Sequence, residues 1–137
     1  MDTGLVDIKE FRGSGYKPLV VFEEWRVAVL RFLDELLPEN INRMERHILT
    51  DEVFILTEGQ ATLIIGGCGS AVDQVSLLEM KTSDFYNVKK GVWHAIVMSK
   101  DAHVVIVEND STSEDNSEYC NLTSDQKGTL RSLVKKY

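Results

Sequence analysis

The feature that most constrains the fold is a rhythm of short apolar segments running from Tyr16 to Asn109. Segments rich in Val, Ile, Leu and Phe are broken about every eight to twelve residues by Gly, Pro, Asn, Asp or Lys turns, and no helical period competes. Strands are expected at 16–22, 25–33, 42–48, 52–59, 60–66, 74–80, 84–89, 94–99 and 103–109. A chain of 137 residues, 43% hydrophobic and 27% charged, has the material for one core. So many short strands around one core imply an all-β sandwich or barrel. GGCGS (66–70) is the clearest hairpin turn, because its glycines adopt positive φ without steric cost.

Beyond the strands, NDSTSEDNSEYCN (109–121) is acidic and nearly devoid of apolar residues, and is expected to be a surface loop leaving the barrel. Thr123 or Ser124 can then cap a helix over 123–137 with Leu130, Leu133, Val134 and Tyr137 on one face. The expected organisation is a single barrel domain over 1–122 and a C-terminal helix packed on it or on a partner subunit.

Several function classes are disfavoured by composition. A net charge of -7 argues against nucleic acid, which needs clustered Lys and Arg. No run of about 18 apolar residues offers a membrane span, and MDTGLVDIKEF is acidic where a signal peptide needs a basic start, so a cytoplasmic protein is expected. Cys68 and Cys120 stand far apart without zinc-type spacing and are expected to be reduced thiols.

The chemistry-bearing residues sit in two segments. Alternation in NRMERHI places Arg43, Glu45 and His47 on one face. Four residues separate His47 from Glu52 and six separate Glu52 from Gly59, so a tight turn brings Glu52 beside His47. In KKGVWHAI, Gly91 precedes His94 by three residues at the start of an apolar strand. Two imidazoles and two carboxylates suit a divalent metal such as Zn, Mn, Fe, Ni or Co. A metal-free pocket in which Arg43 or Arg31 pairs with Glu45 or Glu52 satisfies the same residues.

These spacings resemble the two motifs of the cupin superfamily. Glu45 stands where the first histidine of the first motif would be, while His47, Glu52 and Gly59 match it; Gly91 and His94 match the second. Ser83 and Lys89 replace that motif's first glycine and proline, and Met98 stands where an asparagine is frequent. The resemblance implies a double-stranded β-helix, or jelly-roll barrel, whose centre gathers Glu45, His47, Glu52 and His94 as a metal set. Within the cupins, MERHILTDEVFILTEG (44–59), GVWHAIV (91–97) and SEDNSEYCNL (113–122) resemble the ureidoglycolate lyase family. That family cleaves ureidoglycolate to glyoxylate and urea, which implies a small hydroxy-acid substrate and a homodimer. Ile48, Glu52 and Ala95 depart from it, standing for a proline, a glutamine and a second histidine.

As an enzyme, the chain would hold a small carboxylate or hydroxy acid with Arg31 or Arg43 and use Glu45, Glu52 or His94 as acid or base. Tyr86 and Trp93 are candidates for the pocket mouth, although strand aromatics are core residues more often than ligand contacts. The same barrel could instead sense a ligand without breaking a bond, or survive only for its interface. The latter would close the cavity and leave the four polar residues mutually satisfied.

Overall fold

A computed structural model describes residues 4–137. Ten strands and one α-helix follow in order: β1 (Gly15–Phe22), β2 (Trp25–Arg31), β3 (Arg43–His47), β4 (Glu52–Glu58), β5 (Ala61–Ile65), β6 (Ser76–Glu79), β7 (Phe85–Val88), β8 (His94–Met98), β9 (His103–Asn109), β10 (Ser117–Asn121) and α1 (Ser124–Leu133). All nine expected strands are present; seven are trimmed at their ends, the first gains Gly15 and the last keeps its expected bounds. They form two antiparallel five-stranded sheets, one in the order β1-β2-β9-β4-β7 and the other β10-β3-β8-β5-β6.

Two apolar layers follow from the period of two along each strand. Between the sheets, Ala28, Leu30, Phe54, Leu56, Leu63, Ile96, Met98, Val104 and Ile106 form the main core. On the far side of the second sheet, Met44, Ile64, Trp93 and Val97 pack under Val72, Leu130 and Val134. The helix covers that second layer. Thr123 caps it reciprocally with Gln126, and Tyr137 shares a hydrogen bond with the buried Thr62.

Two expectations need correction here. The stretch 109–121 is not only a loop, because Ser117–Asn121 pairs with β3 as an edge strand. Backbone pairing with β3 places it there, and Cys120 packs against the outer apolar layer. The helix ends at Leu133, so the expected apolar face breaks up: Leu130 and Val134 are buried, whereas Leu133 is 59% exposed. Among the described residues, no helix is long and apolar enough to cross a membrane.

Candidate metal and ligand site

Among the described residues, polar side chains gather at one end of the barrel, where the inward alternation of five strands runs out of apolar side chains. On β2 the inward series is Arg26, Ala28, Leu30; on β9 it is Glu108, Ile106, Val104; on β4 it is Glu52, Phe54, Leu56. The β8 series begins with His94, and β3 adds Glu45 and His47. Together they line one end of a cavity of about 720 Å³, within the usual range for small-molecule sites.

Local geometry brings the two motifs together. Gly91 has φ +82°, a region that L side chains enter rarely, and its N–H donates to the His47 carbonyl at 2.8 Å. This turn delivers His94 to β8, where it pairs with Glu45 on β3. Gly59 has φ +75°, and a Cβ there would meet the Ala102 backbone at 2.7 Å. Glycine is therefore required at the end of the first motif as well.

Both imidazoles present the same atom to the same oxygen. His47 Nε2 lies 3.1 Å and His94 Nε2 3.0 Å from Glu52 Oε1. The His94 Nδ1–H donates to the Val92 carbonyl at 2.9 Å. Ser117 gives its hydroxyl proton to the Ser113 carbonyl, so Ser117 Oγ accepts from His47 Nδ1–H at 2.8 Å. Each neutral ring thus carries its proton on Nδ1 and turns a lone pair toward Glu52. Three electron-rich atoms converging in this way need protons on the rings or one cation among them. Acceptors on both Nδ1 atoms are also the arrangement that orients histidine ligands around metals.

The electrostatics of the buried centre follow from this contact. Burial opposes charge on His47 and on His94, but the hydrogen bond and charge of Glu52, helped by Glu45, outweigh it and hold both above the ordinary histidine value. For Glu52, burial would raise the carboxyl, yet hydrogen bonds from both histidines hold it well below the usual range. Glu108 behaves oppositely. Burial, then the hydrogen bond and charge of Glu52, push it up to about 7.

The residues singled out from sequence divide into two groups. Glu45, His47, Glu52 and His94 come together, and Arg43 lines the cavity with its guanidinium 4.0 Å from the Tyr119 ring centroid. Arg31, Tyr86 and Trp93 do not line it. Arg31 follows the cavity-lining Leu30 and faces the other side of the sheet. Tyr86 packs against the main core and accepts a hydrogen bond from Lys81 N–H at 2.8 Å. Trp93 precedes His94 by one residue and faces the outer layer, 2% exposed, donating to the Gly69 carbonyl.

Sequence reasoning missed Tyr16, Arg26, Glu108, Ser117 and Tyr119. Glu108 and Arg26 were detectable, because each continues an inward apolar alternation where a charge is out of place. The signal for Ser117 and Tyr119 is absent, since they lie in the acidic stretch without periodicity.

The groups that could hold a metal are Glu45, His47 and His94, and His47, Glu52 and Glu108; within each, the ligand atoms lie within 4.8 Å of one another. The donor set, two imidazole nitrogens and carboxylate oxygens, fits a divalent first-row ion.

Comparison with solved structures shows the fold to be that of the cupins. A cupin-2 domain protein from Shewanella frigidimarina is 22% identical, with 72% of this chain and 84% of that chain covered at a TM-score of 0.50. A Streptomyces Pac13 variant with uridine is 11% identical over 85% of this chain and 87% of its own, at a TM-score of 0.56. Pac13 is described as a nucleoside dehydratase. KdgF from Halomonas is 14% identical over 73% of this chain and 80% of its own, at a TM-score of 0.50. No protein-family model and no curated protein matches the chain.

Proposed function

We propose that this protein is a metal-dependent cupin enzyme acting on a small hydroxylated metabolite, with a lyase reaction of the ureidoglycolate type as the specific candidate. One observation carries the reading. Two buried imidazoles, each with Nδ1–H committed to another acceptor, direct their Nε2 lone pairs at one Glu52 oxygen. His47, His94 and Glu52 would hold the ion, with Glu45 beside them. A bound divalent ion supplies polarisation of a substrate oxygen and a lowered pKa for a hydroxyl in its sphere.

The chain's own residues supply the rest. Glu45 lines the cavity opposite His94 and is placed to take a proton from a substrate hydroxyl, with His94 the alternative acid or base. Arg43 is the cavity-lining cation placed to receive a substrate carboxylate, since Arg26 is committed to Glu108. Phe54, Ile96 and Ile106 form an apolar floor that excludes water beneath the polar end. Two free thiols support a cytosolic setting, and exposed Val20, Val21 and Phe22 on β1 support a homodimer.

The test is metal analysis of protein purified without chelator, followed by incubation with ureidoglycolate and added Mn, Zn or Ni. Bound metal and glyoxylate release, lost in Glu45→Gln with an unchanged melting temperature, are expected. Absence of any bound divalent ion overturns the metal reading. Glyoxylate no faster than the uncatalysed rate removes the lyase candidate.

A further inference from the structure

Glu108 is the most enclosed charged side chain of the centre. Its side chain is 2% exposed. One carboxylate oxygen, Oε1, receives the Tyr16 hydroxyl at 2.6 Å, Arg26 Nη2 at 2.8 Å and Arg26 Nε at 3.2 Å. The other, Oε2, is buried and meets no donor among the described residues; the Glu52 carboxylate beside Glu108 can bond to it only while a proton lies between the two groups. A buried carboxylate oxygen without a donor or cation is costly.

The backbone dictates where this side chain goes. β4 and β9 pair Val53 with Val107 and Phe54 with Ile106, and one further step of that register sets Glu52 opposite Glu108 on the inward face. Two like charges are thus built directly across from each other. His47, Glu52 and Glu108 are all buried, and their ligand atoms lie within 4.8 Å of one another. The second group of this kind, Glu45, His47 and His94, shares His47. Because Ser117 occupies His47 Nδ1, only Nε2 is left to serve either group, so the two describe the surroundings of one ion.

We propose that Glu108 is a further protein ligand of the metal centre, binding through Oε2 while Tyr16 and Arg26 hold Oε1 and aim the group inward. This rests on the metal reading above. It assigns a function to Glu108 that the motif spacing does not include, and it makes the donor set rich in carboxylate oxygen. Such a set shifts preference toward oxygen-loving ions such as Mn over ions that favour nitrogen and sulfur. Arg26 is the counter-charge that makes an additional buried carboxylate tolerable.

Diffraction from wild-type crystals soaked in Mn decides the assignment directly. An anomalous peak within about 2.0–2.4 Å of Glu108 Oε2 is expected. A peak bound by His47, His94 and Glu52, with Glu108 Oε2 left out of coordination range, overturns this inference and leaves the metal reading standing. No peak at the centre overturns both. In solution, Glu108→Gln keeps a carbonyl oxygen for Tyr16 and Arg26 and offers Glu52 an amide donor, so the metal-free fold should persist by circular dichroism. Its Mn affinity should fall about tenfold or more, with an altered Mn electron paramagnetic resonance spectrum. Unchanged affinity and spectrum in a folded Glu108→Gln variant overturn the inference. If that variant does not fold, the wild-type diffraction result stands as the test.

Discussion

His94 Nε2 and Glu52 Oε1 face each other across 3.0 Å in the interior of the barrel, joining residues 42 positions apart in the chain. Since His94 Nδ1–H is spent on the Val92 carbonyl, this contact is attractive only when a second proton or a cation sits at Nε2. The centre therefore couples proton content to stability.

Glu52, held below its ordinary 4.5, contributes stability above that pH and loses it on acidification. His47 and His94, raised above 6.5, contribute below that value and lose it as pH climbs through their folded values. Glu108, pushed up to about 7 from 4.5, likewise favours the fold at the acid side and loses that contribution as pH rises through about 7. Metal-free protein should melt higher at about pH 5.5 than at about pH 8, and added Mn should close the gap by replacing those protons. Thermal melts at both pH values, with chelator and with Mn, check this. A metal-free melting temperature that rises toward pH 8 contradicts it.

Ser117 lies outside both motifs yet fixes the His47 ring. Ser117→Ala removes the acceptor of Nδ1–H and should weaken metal binding by roughly 10–100-fold while the protein stays folded. His47→Ala and His94→Ala should reduce occupancy further still. Calorimetric titration with Mn or Zn measures all three; wild-type affinity in Ser117→Ala would show that the ring is oriented by other contacts.

Leu63 is fully buried between the sheets, away from the polar end. Leu63→Ala should cost roughly 2–5 kcal/mol in urea unfolding, with metal affinity per folded molecule unchanged. A loss below about 1 kcal/mol would mean that the barrel collapses around the gap.

Phe22 and Trp25, with ring centroids 6.0 Å apart, are 57% and 44% exposed. Val20 and Val21 add to the apolar surface of the same edge. Sedimentation at micromolar concentration should give twice the chain mass, and Phe22→Asp should shift it to the monomer. A wild-type monomer at that concentration removes the homodimer.

The sequence by itself determined where nine of the strands fall along the chain and which residues open the site. Period-two apolar patterning is a local property, so nine strands could be placed before any contact was known, and the spacings around Gly59 and Gly91 marked His47, Glu52 and His94. Long-range register decided the rest. Only the β4–β9 pairing sets Glu52 against Glu108, only the β2–β9 pairing sets Arg26 beside it, and only the docking of β10 on β3 brings Ser117 to His47. Arg31 shows the converse, since a one-residue difference in alternation sends it to the opposite face from Leu30. Which charges meet inside a barrel depends on how strands are paired across the sheet, and that information resides in contacts between segments far apart in the chain.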